Sequence, residues 1–264
     1  IMRIAVMADI HGNLEAFTTV LRFLREEKIR RIIHAGDVVG YGPDPVKCLE
    51  FFMAMAGEKT EKLEPGELEL ASGFSADLIM GNHDAAVINF TDISYFNRIA
   101  YEAIIWTKKE MALSHQRFVK SLPYSARFHG GSFYHSTPQM PENWYYLDSS
   151  EMARESFGHT GKLTFVAHTH KPYLYIKKMD SERVTGHEPE DKTWKLDETA
   201  AYIINPGSVG QPRDGNYMSS FLIWDTEQKT IRYVRLDYDV RKTQQKLAEL
   251  PLPYILAERL LLGK

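Results

Sequence analysis

The sequence predicts an α/β fold, a four-layer α/β/β/α sandwich of two mixed sheets flanked by helices. Three observations carry this. The chain opens on a strand–helix–strand unit: the apolar run Ile4–Ala8, an amphipathic segment from Leu14 to about Glu27, and the apolar run Ile32–Ala35. Such a unit implies parallel strands joined by a right-handed crossover. From Tyr124 the hydrophobic period changes to two, and strand-like segments follow one another to residue 236. Helical stripes recur between and after the strands. Two sheets face to face, with helices outside, bury every apolar face this pattern creates.

Each element has its own signal. Asn13 is a good N-cap, and Leu14, Phe17, Leu21 and Leu24 form the stripe of the first helix. Asp44 and Pro45 open a second helix carrying Cys48, Leu49, Phe52 and Met55. Residues 57–73 are polar and acidic and read as a surface excursion. Residues 76–80 read as a third buried strand, with Gly81–Asp84 as the loop after it. Helices are expected near 94–111 and 114–121, the second capped by Ser114, with the Ile104–Trp106 region as core. A hairpin is expected over 124–135 with Gly130-Gly131 as its turn. A short helix over 150–157 and strands at about 162–167, 173–179, 183–186, 193–196, 200–205, 219–225 and 230–236 complete the pattern. Residues 1–264 read as a single domain, with 57–73 as an insertion and 239–264 as a helical tail broken at Pro251 and Pro253.

Composition narrows the function classes. A 44% hydrophobic and 25% charged chain is ordinary for a globular protein, and a net charge of −3 gives no basic footprint for nucleic acid. Cys48 is the single cysteine, which fits a reducing cytosol. No apolar run approaches the roughly 18 residues that span a bilayer, and the N-terminal residues lack a signal-peptide layout.

The chemistry gathers at strand ends. The run Arg31–Ala35 stops in Gly36-Asp37, where an open α/β sheet binds ligands beyond its carboxyl edge. Four other stretches end alike: Asp9-Ile10-His11, Gly81-Asn82-His83-Asp84, Tyr134-His135-Ser136 and Ala167-His168-Thr169-His170. In an extended chain, residues i and i+2 point to one side, so Asp9 with His11, and His168 with His170, could each reach one ion. Carboxylate plus imidazole suits manganese, iron, zinc or nickel, and the absence of cysteine from the set argues against a structural zinc. Two ions roughly 3.5–4 Å apart need a bridge, which the two oxygens of Asp37 can supply. His34, inside an apolar strand, reads as structural, and His115, His129, His159 and His187 read as surface or packing residues.

The ordered series Asp9-x-His11, Gly36-Asp37, Gly81-Asn82-His83-Asp84, His135 and His168-x-His170 resembles the calcineurin-like metallophosphoesterase superfamily. Tyr41-Gly42-Pro43, Asn205–Gly210 and Leu256–Leu260 resemble its bacterial and archaeal branch of diadenosine tetraphosphatases and small phosphodiesterases. The resemblance implies that Asp9, His11 and His170 hold one ion, that Asn82, His135 and His168 hold a second, and that Asp37 bridges them. The cofactors implied are two divalent ions, manganese or iron first, with zinc, nickel or magnesium as other occupants. It further implies that a hydroxide between the ions attacks phosphorus and that His83 protonates the leaving oxygen. The substrate expected is small and phosphorylated, a phosphodiester or phosphoanhydride of nucleotide type, with a phosphomonoesterase or a non-catalytic scaffold as alternatives. Where the protein-phosphatase branch carries an acid and an arginine after the bridging aspartate, this chain has Gly40 and Tyr41. The partner orienting His83 is then Asp84 or Asp44. Ala167 stands where the family usually has glycine. Asn205–Gly210 is read as a structural loop bordering the site, with Asn13, Tyr41 and Arg213 as candidate substrate contacts. The aromatic loop 141–146 is read as hydrophobic lid packing, with stacking of a nucleobase as the alternative.

Overall fold

The computed structural model describes residues 2–190 and 192–264. Its strands are β1 (Arg3–Met7), β2 (Arg31–His34), β3 (Ser75–Leu78), β4 (Ser125–Phe128), β5 (Gly131–Tyr134), β6 (Leu163–Phe165), β7 (Pro172–Lys178), β8 (Val184–His187), β9 (Thr193–Lys195), β10 (Ala200–Pro206), β11 (Ser219–Asp225) and β12 (Thr230–Leu236). Its helices are α1 (Leu14–Glu26), α2 (Pro45–Met55), α3 (Pro65–Ser72), α4 (Asn82–Val87), α5 (Arg98–Glu110), α6 (Leu113–Lys120), α7 (Ser150–Ser156), α8 (Val240–Ala248) and α9 (Ile255–Leu262).

Two six-stranded mixed sheets form, in the orders β3-β2-β1-β11-β12-β9 and β4-β5-β6-β10-β7-β8. Strands β1, β2 and β3 run parallel, as the opening strand–helix–strand pattern requires. In the second sheet β5, β6 and β10 are parallel to one another. The alternation of each central strand divides its side chains between two cores. Ile4, Val6 and Ile33 meet Phe133, Phe165, Ile204 and Trp224 between the sheets. Ala5, Met7 and Ile32 face Phe17, Leu21, Phe51 and Phe52 of α1 and α2. On the far side of the second sheet, Val166, Tyr175 and Ile203 pack with Ala153 of α7. The four predicted layers are therefore present. Among the described residues no helix is long and apolar enough to cross a membrane.

Local differences have physical reasons. The hairpin turn is His129-Gly130, not Gly130-Gly131. Both turn residues have positive φ (50° and 89°), and Gly131 pairs with Phe128. Two left-handed residues match the right-handed twist of the strands. Gly81–Asp84 is not a loop throughout, because Asn82, His83 and Asp84 form the first turn of α4. α6 is capped at Ala112, not Ser114: the Ala112 amide donates to His115 Nδ1 at 2.9 Å.

Residues 57–73 hold the helix α3, which buries Leu70 and Ala71. They are also pinned by Glu50, whose fully buried carboxylate accepts the amides of Glu61, Lys62 and Leu63. His115 donates its Nε2 proton to the same carboxylate at 3.0 Å, its Nδ1 being taken as acceptor. Glu50→Ala leaves the buried His115 Nε2 and three part-buried amides without an acceptor and is expected to cost about 1–3 kcal/mol. Chemical denaturation checks this. A change under about 0.5 kcal/mol, the size of an ordinary surface substitution, would contradict it.

Candidate metal centre

The carboxyl ends of β1, β2, β3, β5 and β6 meet at one edge, and the predicted site residues follow them. Asp9, His11 and His170 form one cluster, Asp37, His135 and His168 a second, and His11, Asp37 and His83 a third, all buried. His11 Nε2 lies 3.1 Å from His170 Nε2 and 3.7 Å from Asp9 Oδ1, and His170 Nε2 lies 3.5 Å from Asp9 Oδ1. Asp37 Oδ2 lies between the clusters, 3.6 Å from His11 Nε2 and 3.4 Å from His135 Nε2. Asn82 Oδ1 is 3.1 Å from His135 Nε2.

The loops reach this arrangement through uncommon backbone. Asp9, His11, Asp37, His168 and His170 all have φ between 47° and 68°. Left-handed conformations at non-glycine residues cost about 1–3 kcal/mol each and collect at functional sites. The i, i+2 argument from extended chain therefore does not apply. His168 and His170 turn to different clusters, whereas Asp9 and His11, equally left-handed, share one. Gly36 (φ +96°) allows the crossing of the loops, since a Cβ there would sit 2.6 Å from His135 Nδ1.

Four of the imidazoles are aimed by backbone carbonyls. His11 Nδ1 pairs with Val39 O at 3.0 Å, His135 Nδ1 with Ala35 O at 2.8 Å, and His170 Nδ1 with Gln211 O at 2.7 Å. Donation from Nδ1 fixes the tautomer and leaves Nε2 as a free lone pair. His168 is turned round. Its Nε2 faces Trp144 O at 2.9 Å, which leaves Nδ1 for the cluster.

Both oxygens of Asp9 and Oδ2 of Asp37 are buried without a hydrogen-bond partner. Burial is the largest influence on Asp9 and lifts it to about 8. On His135 burial favours the neutral ring, but the Asp37 charge 3.4 Å away outweighs it and carries the group to about 9. Orphaned buried carboxylate oxygens facing imidazole lone pairs are costly alone and suit divalent cations.

Several sequence expectations change here. Asp84 does not touch the His83 ring. Its carboxylate accepts the amides of Asp37, Val38, Val39 and Gly81, and so shapes the loop that carries Asp37. Asp44 is bonded to Lys246. Neither orients His83, whose Nδ1 is buried and unpartnered. Asn13 is not placed to contact substrate. Its amide caps Ala16, donates to Gly210 O and Tyr238 Oη, and accepts from Thr243. Tyr41 and Arg213 line a cleft of about 610 Å³ that opens on the clusters. Asn205–Gly210 buttresses the site from behind, Ser208 Oγ donating to Asp9 O and Asn205 Nδ2 to Ala167 O. His34 stays in the core against Phe52.

Two residues of the 141–146 loop contact the His168 ring, a role that the reading of this loop as a lid did not name. Trp144 supplies its carbonyl to His168, and Tyr146 stacks on the same ring at 4.1 Å. A carbonyl contact leaves no mark on residue type. The clustering of aromatics before α7 was the available signal.

Residues 2–205 match the calcineurin-like phosphoesterase family. An uncharacterized protein of Methanocaldococcus jannaschii is 37% identical over 265 residues, covering 99% of this chain and 98% of its own. A metallophosphoesterase of Sphaerobacter thermophilus has a similar structure, with a TM-score of 0.80 at 31% identity over 100% of this chain and 99% of its own. A hypothetical protein of Pyrococcus horikoshii shares the fold, with a TM-score of 0.76 at 17% identity over 100% and 99% of the two chains. The loops that gather Asp9, Asp37, Asn82, His135 and the His168–His170 pair thus lie inside the matched segment, and this chain belongs to the calcineurin-like phosphoesterase family.

Proposed function

We propose that the protein is a metal-dependent phosphoesterase acting on phosphodiester or phosphoanhydride bonds of a nucleotide-type substrate. In this reading Asp9, His11 and His170 hold one divalent ion, Asn82, His135 and His168 hold another, and Asp37 serves both. One observation carries it: Asp37 Oδ2 is an orphaned carboxylate oxygen set between two Asp/His clusters. The family's dinuclear divalent centre supports the assignment. Manganese or iron suits the mixed oxygen and nitrogen donors.

A divalent pair bound by these residues would supply charge neutralisation at the phosphoryl group and would help a water lose its proton to solvent for in-line attack at phosphorus. The chain supplies the rest. As the bond from water oxygen to phosphorus forms and the bond to the leaving oxygen breaks, His83 gives that oxygen a proton. Burial is the largest influence on His83 and lowers it to about 4, with Asp37 opposing. A phosphoryl anion beside the ring adds a second negative neighbour and raises its proton affinity. Arg213, on the cleft wall, can hold the non-bridging oxygens through two parallel N–H bonds.

The cleft favours an esterified phosphate over a free one. Arg213 is its single lysine or arginine among the described residues, and Asp92 and Glu142 also line it and disfavour a dianion. Tyr95, Tyr145 and Tyr146 line the same cleft, aromatic surface suited to a stacked base.

Manganese-loaded protein assayed with bis-p-nitrophenyl phosphate beside p-nitrophenyl phosphate tests the reading. Hydrolysis of the diester in preference to the monoester is expected, followed by turnover within a nucleotide panel. Hydrolysis of the monoester alone would make the protein a phosphomonoesterase, and inactivity toward every substrate a scaffold.

A further inference from the structure

Resting on the role given to His83 above, we propose that Arg259 is a positioning residue: from the C-terminal helix α9 it fixes the ring of Tyr41, and Tyr41 holds the His83 imidazole in the orientation that protonates the leaving group.

His83 has no carboxylate to orient it, and its buried Nδ1 has no partner. Packing has to do that work instead. Tyr41 lies closest, 4.3 Å between ring centroids, with His11 at 4.9 Å and Phe96 at 5.4 Å, both edge-on. Gly40 (φ +94°) leaves the space, since a Cβ there would lie 2.5 Å from His83 Nδ1. Tyr41 is itself left-handed, at φ 53°, and so needs support from its surroundings.

Arg259 gives that support. Its guanidinium carbon stands 4.4 Å from the centre of the Tyr41 ring, a cation over an aromatic face. Its Nε and Nη2 are buried without acceptors. Burial draws its pKa down to about 10, so it remains a cation at neutral pH. No carboxylate among the described residues pairs with this buried guanidinium, which is costly when left alone. The ring of Tyr41 is the partner it has. The helix that carries it is well anchored. Leu256 and Leu260 are buried, Gln244 Nε2 donates to Ala257 O, and the Gly215 amide donates to Gly263 O at 3.0 Å. Arg259 lies beyond the segment 2–205 matched by the family. The C-terminal helices thereby become part of the catalytic equipment.

A double-mutant cycle on manganese-loaded protein tests this, with one aryl and one alkyl phosphodiester. Arg259→Met is expected to lower kcat on the alkyl ester about tenfold, the lower end of what misplacing a catalytic group costs, with KM and the aryl rate unchanged. In a His83→Ala background the same change is expected to cost nothing more, and Arg259→Lys, which keeps a cation over the ring, to recover part of the loss. Metal content and thermal unfolding are read on every variant. Should Arg259→Met fail to fold, Arg259→Lys carries the cycle. Additive losses, or equal losses on both esters, would overturn the proposal by showing a merely structural role. A leaving-group effect in His83→Ala without one in Arg259→Met would overturn it alone. No such effect in His83→Ala would overturn the acid role and this inference together.

Discussion

Asp37→Asn is expected to remove at least one of the two ions and roughly a thousandfold of kcat/KM, since metal stabilisation of a phosphoryl transition state is worth several kcal/mol. The substitution keeps the size of the side chain and changes its chemistry. Oδ1 accepts the His83 amide at 2.8 Å, which fixes the carboxylate plane and turns Oδ2 toward His11 and His135. An amide held the same way presents an NH₂ group to the imidazole lone pairs. Turned over, it loses the bond from His83. Either way one anionic oxygen shared by two clusters is gone. Elemental analysis after reconstitution, beside steady-state kinetics, measures both effects. Two ions per chain with rates within a few-fold of the parent would contradict the shared role of Asp37.

The second large effect is His83→Ala. Metal content is expected to stay at its parent level, because the groups assigned to the ions are left in place. Turnover of an alkyl phosphodiester is expected to fall about 10²–10⁴-fold, the usual worth of a general acid. A nitrophenyl diester, whose leaving group departs without a proton, is expected to lose less than about tenfold by the same reasoning. His83 is placed for this selective role. It lines the cleft beside Asp37 and Asn82, and its position on the first turn of α4 is set by the bond from its amide to Asp37. Equal losses on both esters would show that the residue serves the shape of the site and not the leaving group.

Much of this was legible in the chain because the chemistry sits where strands stop. Buried runs such as Ile4–Ala8 and Ile32–Ala35 declare themselves by composition, and an Asp or His just past them is visible at once. The sandwich follows from the change of period at Tyr124. What stayed hidden depends on partners distant in sequence or on backbone atoms. Asp84 reads from the sequence as a candidate partner for His83, yet its four donors come from residues 37–39 and 81. Glu50 and His115 meet across 65 positions. Trp144 contributes a carbonyl, which any residue could supply. The argument from alternation assumed extended backbone where the loops are left-handed, and its outcome holds for Asp9 with His11 but not for His168 with His170. Asn13 was open to two readings because a helix cap and a ligand contact use the same residue type, and only the four hydrogen bonds of its amide decide between them.

The account depends on Asp37 standing between two cations. Anomalous scattering from crystals of the manganese-loaded protein tests that most directly. It should show two peaks roughly 3.5–4 Å apart, one on either side of Asp37 Oδ2. A single peak, or two peaks with Asp37 touching one of them alone, would contradict it.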